Sequence, residues 1–109
     1  MTFIDELTSA ILVKERVQLR NGTWSDYYFD VRRLFGYPHL RDTITTMLAN
    51  IVPDETTYLA GKGIGGYSFT TLVAHHRKLP FVLSRDAPKE YGLNKLLEGI
   101  MPLPNDNVT

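Results

Sequence analysis

Cysteine is absent from the chain, which excludes disulfides and thiolate metal sites and leaves the redox compartment open. No apolar run approaches the ~20 residues that a membrane span requires. The opening residues, MTFIDELTSA, carry acids where a secretory signal needs a basic stretch and then a long apolar one. Charge of one sign is not in excess: 12 basic and 12 acidic side chains give a formal net charge of zero. A basic footprint for nucleic acid is therefore missing. Repeats, linkers and low-complexity tracts are missing too. The expectation is a single cytoplasmic domain over 1–109 that binds small molecules, with no membrane or nucleic-acid partner.

Apolar residues recur at helical spacing over 2–13 (Phe3, Ile4, Leu7, Ala10, Ile11). Thr2 is placed to cap that helix, although no Glu or Gln follows three positions later to complete a capping box. Val17 and Leu19 alternate with polar residues ahead of Asn21-Gly22, a hairpin signal because both residues tolerate positive φ. The returning strand holds Tyr27, Tyr28, Phe29 and Val31. Leu40, Ile44, Met47, Leu48 and Ile51 predict a second helix over 38–50, ended by Pro53. A strand over 56–60, a glycine stretch, a helix through 70–77 and a strand at 81–83 then make one βαβ unit with parallel strands. Residues 85–98 are charged and read as a loop. The final DNVT reads as the start of another strand.

The glycine stretch LAGKGIGGYSF (Leu59 to Phe69) carries the strongest chemical signal. Backbone that turns from a strand into a helix through several glycines can approach a phosphate closely. Gly61, Gly63 and Gly66 match the spacing of a dinucleotide fingerprint, with Asp86 where a ribose ligand stands. A plain tight turn is the alternative, although one or two glycines suffice for that. Some 55 residues precede this strand and include an aromatic hairpin, which a dinucleotide domain does not explain. His39, His75 and His76 lack partners at metal-ligand spacing and read as surface or helix-end residues, so no protein metal site is expected.

Three stretches together, LRNGTWSDYYFDVRRL, AGKGIGGYSFTTLVA and LPFVLSRDAPKEYG with its following LLEG, resemble the orotate phosphoribosyltransferases in order and spacing. The hairpin is the most specific piece; the glycine stretch is shared more widely. The resemblance implies an α/β fold, with an N-terminal helix and β-hairpin lid (1–36) on an incomplete parallel phosphoribosyltransferase-type sheet (37–109). It also implies transfer of phosphoribosyl from phosphoribosyl pyrophosphate (PRPP) to orotate, with Mg²⁺, in a homodimer.

On the same resemblance, Lys62, Gly63, Ile64, Gly65 and Gly66 form the pyrophosphate turn. The family often has a lysine where this chain has Gly65. Arg20 stands where the family has a lysine that reaches orotate and PRPP. Tyr28 and Phe29 match the aromatic pair beside the pyrimidine, burial in strand core being the alternative for Tyr27 and Phe29. In the 85–98 loop, Arg85, Lys89 and Gly92 match the catalytic pattern. Asp86 replaces a lysine and Tyr91 replaces a histidine, and a tyrosine with pKa near ~10 shuttles protons poorly at neutral pH. Family members continue beyond the position of Thr109 with the turn that holds the PRPP ribose. The expectation is a fragment that does not turn over alone. A dinucleotide-binding unit and a non-catalytic phosphate-binding relative stay open beside the transferase.

Overall fold

The structure, a computed structural model, describes residues 1–88, 90–92 and 96–109. They form two compact units, Met1–Asp42 and Thr43–Thr109.

In the first unit, helix α1 (Phe3–Ile11) is closed at its start by a full capping box. The Thr2 hydroxyl accepts from the Asp5 N–H, and the Asp5 carboxylate accepts from the Thr2 N–H, both at 3.1 Å. Aspartate thus does what the sequence rule assigns to Glu or Gln. The Thr2 hydroxyl, donating to the carboxylate at 2.8 Å, and the Thr2 N–H hold the Asp5 carboxyl below its ordinary value. The helix stops at Ile11 rather than 13, because Leu12 and Val13 form a strand instead.

Four short strands follow: β1 (Leu12–Val13), β2 (Val17–Gln18), β3 (Trp24–Ser25) and β4 (Tyr28–Phe29). β2 pairs antiparallel with β3, and β1 with β4, Leu12 lying opposite Phe29. The hairpin is present, but its turn differs from a two-residue Asn-Gly turn. The Gly22 N–H donates to the Leu19 carbonyl at 2.9 Å, and the Leu19 N–H to the Thr23 carbonyl at 2.7 Å. Only Gly22 of the pair has positive φ, at 88°. Asn21 keeps an ordinary φ because its side-chain oxygen accepts from the Thr23 N–H and hydroxyl. This is the three-residue loop with a left-handed glycine at its end. The returning arm breaks at Tyr27, whose N–H and carbonyl both bond the Ser25 hydroxyl. Val31 is not in the strand; it opens a 3₁₀ helix, Val31–Gly36. Ala10, Leu34 and Leu40 are the buried apolar residues of this unit.

Helix α2 (Pro38–Ile51) runs from the first unit into the second. Proline suits its first position, where no intrahelical N–H bond is lost. Its buried face matches the expected stripe only in part: Leu40 is buried and Leu48 packs on the core, but Met47 and Ile51 are exposed, while Thr45 and Ala49 are buried.

The second unit is the βαβ motif. Strand β5 (Leu59–Lys62) pairs in parallel with β6 (Phe81–Ser84), and helix α3 (Gly63–Arg77) connects them. The strand begins later than expected and runs into the glycine stretch. The helix begins at Gly63, seven residues before the expected start. Strand β7 (Leu97–Glu98) adds antiparallel to β6, so the sheet is mixed and the 85–98 segment ends in a strand rather than a loop. On the other side of β5, Tyr58 bridges Val108 in parallel, in keeping with the strand start expected at DNVT. Ala49, Leu59, Val73 and Ala74 form the core, with Leu48, Val52, Leu79 and Phe81 packed on it.

Two contacts set the position of α3. Gly61 lies where an added Cβ would stand 2.1 Å from Thr70 Oγ1 and 2.9 Å from the Gly66 carbonyl oxygen. The strand and helix therefore touch through backbone, as a glycine permits. At the far end, the Arg77 guanidinium donates to the carbonyls of Ala49 and Val52 at 2.7 and 2.9 Å. A weaker bond at 3.4 Å reaches Pro53. Arg77 thus supplies donors to carbonyls at the end of α2, where a helix leaves its last carbonyls without intrahelical partners.

Candidate functional site

The expected site residues fall into two groups, one in each unit. In the first unit, Arg20 sits in the hairpin turn and is exposed. Tyr28 and Phe29 lie side by side in β4 and are 42% and 51% exposed. Tyr27 is exposed too and meets Phe29 edge to face at 6.0 Å. These rings are not strand core, so the burial alternative does not hold. Trp24, which carries no assigned role in the sequence, receives the Arg16 guanidinium over its ring at 5.2 Å.

In the second unit, the glycine stretch is not a free loop. It is the last residue of a parallel strand followed by the first turn of a helix. Lys62 is the N-cap in an extended conformation. Gly63 turns the chain with φ of 75°, a value that excludes a comfortable side chain. Gly63, Ile64, Gly65 and Gly66 then form the first helical turn. The first amides of a helix have no carbonyl one turn back, and they carry the positive end of its dipole. Ile64 is exposed there, and Gly65 adds no side chain.

Beside this turn the end of β6 brings charge. Lys62 pairs with Ser84 in register, so the residues just beyond Ser84 lie close to it. Lys62 Nζ stands 3.6 Å from Asp86 Oδ1. Arg85 Nε donates to Glu98 Oε1 at 2.7 Å, and the Arg85 N–H donates to the Leu96 carbonyl at 2.8 Å. The hydrogen bond to Glu98 raises the Arg85 guanidinium above its ordinary value. Tyr91 is exposed. Tyr67 Oη donates to the Ser84 carbonyl at 2.6 Å, tying α3 to the end of β6. Lys89 lies outside the described residues.

Sequence reasoning did not assign Glu98, Tyr67 or the Lys62–Asp86 contact. Only the pairing of β6 with β5 and with β7, and the packing of α3 on β6, bring those groups together, and no local pattern encodes it. Among the described residues no group of three or more His, Asp or Glu side chains is arranged to hold a metal ion. No helix among them is long and apolar enough to cross a membrane.

Known structures share this architecture. An orotate phosphoribosyltransferase from Mycobacterium tuberculosis, solved with Fe(III) dicitrate, superposes with a TM-score of 0.74 at 23% identity, covering 97% of this chain and 62% of that one. An adenine phosphoribosyltransferase from Thermoanaerobacter pseudethanolicus gives 0.61 at 16% identity, covering 82% of this chain and 51% of that one. The fold is that of the phosphoribosyltransferases. Sequence narrows the class. The orotate phosphoribosyltransferase of Rhizobium rhizogenes is 29% identical over 94% of this chain and 52% of its own length. That of Methanothermobacter thermautotrophicus is 33% identical over 86% and 53%. Over most of its own length the chain is similar to these orotate phosphoribosyltransferases, and it spans about half the length of these curated relatives. No family model matches it.

Proposed function

We propose that this chain serves the transfer of phosphoribosyl from PRPP to orotate, giving orotidine 5′-monophosphate and pyrophosphate. The observation that carries this reading is the junction at Gly63, where a parallel strand turns through a left-handed glycine into a helix, in a chain homologous to orotate phosphoribosyltransferases. None of the relatives or neighbours reported above favours the dinucleotide reading of Gly61, Gly63, Gly66 and Asp86.

Breaking the anomeric C–O bond of PRPP builds positive charge on the ribose and negative charge on the departing pyrophosphate. The protein's part is to hold both reactants and to meet the developing anion with fixed donors. In this reading the amides from Lys62 to Gly66 receive the diphosphate. Arg20 grips the orotate carboxylate through its forked guanidinium. Tyr28 and Phe29 offer aromatic faces to the pyrimidine. Arg85, Lys89 and Tyr91 act on the leaving group from the segment after β6. Mg²⁺ carried by PRPP would neutralise phosphate charge as part of the substrate. The assembly is a cytoplasmic homodimer in which that segment serves the partner's site.

Titration calorimetry with PRPP and with NAD⁺, each with Mg²⁺, tests the reading. Saturable binding of PRPP and none of NAD⁺ is expected. Gly63→Ala separates backbone geometry from packing, because nothing lies within 4 Å of the added Cβ. A left-handed alanine costs about 1–2 kcal/mol, and relaxation of the turn to avoid that strain lowers PRPP affinity by about tenfold if ~1.4 kcal/mol of it falls on binding. Binding of NAD⁺ in place of PRPP overturns the assignment.

A further inference from the structure

We propose that Asp86 is a built-in competitor for the anion at the Lys62 turn and sets how tightly this chain takes a diphosphate. The proposal rests on the phosphoribosyl-transfer reading and adds a determinant of affinity to it. Two described cations stand at the end of the β5–β6 pair, and each faces a carboxylate of the same chain. They are not held alike. Arg85 meets Glu98 in a directed hydrogen bond of 2.7 Å, with both side chains more than half covered, at 37% and 38% exposure. Lys62 meets Asp86 at 3.6 Å, a contact without hydrogen-bond geometry, and the two side chains are 64% and 88% exposed. A pair so open to water is weak and readily exchanged. Arg85 is thus a fixed part of the β6–β7 junction, whereas Lys62 is an exchangeable cation whose resting counter-ion is Asp86.

A diphosphate arriving at the first turn of α3 brings several negative charges to the same ammonium. It must displace the Asp86 carboxylate or accept its repulsion, and either lowers affinity. Position 65 offers no second cation, since it is glycine. Charge at position 86 therefore bears directly on the anion at this turn, beside whatever Arg85 and Lys89 contribute from the same segment.

The test is calorimetric titration of inorganic pyrophosphate, with Mg²⁺, into the wild-type chain, Asp86→Asn, Lys62→Ala and the double variant. Asp86 is too exposed for the isosteric change to disturb folding. Asp86→Asn is expected to bind about 2- to 5-fold more tightly at low ionic strength, as removal of one nearby exposed charge permits. The gain should shrink above about 0.15 M salt, where the Debye length falls to ~8 Å. In the Lys62→Ala background the same change should gain distinctly less. Equal affinity of wild type and Asp86→Asn, with both binding, overturns the proposal and leaves the transferase reading standing. A full gain retained without Lys62 overturns the ion-pair route. Absence of pyrophosphate binding in every variant overturns both.

Discussion

Gly61→Ala is expected to lower stability by about 2–3 kcal/mol, the upper part of the range for forcing one carbon into packed space. In a chain of this size that is about 8–20 °C of melting temperature. The cause is local and specific. The new Cβ would sit 2.1 Å from Thr70 Oγ1, 2.8 Å from Thr70 Cβ and 2.9 Å from the Gly66 carbonyl oxygen. The hydroxyl can be removed, but the other two atoms cannot turn aside. Thr70→Ala in the same chain should therefore recover only part of the loss. The change also bears on the proposed function, because α3 would move away from β5 at the turn assigned to the diphosphate. PRPP affinity should fall together with stability. Thermal unfolding followed by circular dichroism reads the first effect. An unchanged melting temperature would mean that helix and strand stand further apart than described.

Arg77→Met should be the next most damaging change, costing about 1.5–3 kcal/mol, the usual worth of hydrogen bonds to a charged group. Methionine keeps much of the stem and removes the donors that Ala49, Val52 and Pro53 receive from the guanidinium. Carbonyls at the end of α2 then lose those partners. Arg77→Lys should recover only a fraction, because an ammonium is a compact charge rather than a planar fork. The urea midpoint should fall with an unchanged slope, since the surface exposed on unfolding stays the same. A loss below about 0.5 kcal/mol would show that water replaces the guanidinium at no cost.

The two substitutions show which parts of the molecule were legible in the sequence. The βαβ unit was, because apolar runs, breakers and glycines are local signals. The glycines of 61–66 stood out in the sequence as well, but their separate structural duties were hidden. Gly61 is required by a contact with Thr70, nine residues along the chain and one helix away, whereas Gly63 is required by its own φ. No periodicity separates those causes. The start of α3 was misplaced for a related reason: glycines lower helix propensity, and packing against β5 overrides it. Leu12–Val13 look helical in isolation and become a strand only because Tyr28–Phe29 return beside them. Strand β7 was missed because Leu97 and Glu98 carry no strand pattern; pairing with β6 defines it.

The candidate site divides in the same way. Single residues with strong chemistry, such as Arg20, Lys62 and Arg85, stood out. Their partners did not. Asp86 registered as a departure from a family pattern, but its place beside Lys62 depends on the register of two strands. Glu98 required the antiparallel return of β7. Strand-core burial was the alternative in sequence for Tyr27 and Phe29, and their exposure decides against it.

The central claim is that the amides from Lys62 to Gly66 hold the diphosphate of PRPP. Amide chemical shifts recorded while magnesium PRPP is added to the 109-residue chain test it directly. The account predicts saturable shifts that are largest at Gly63, Ile64, Gly65 and Gly66, reproduced by pyrophosphate alone. Saturable shifts that leave those four amides unmoved would contradict it.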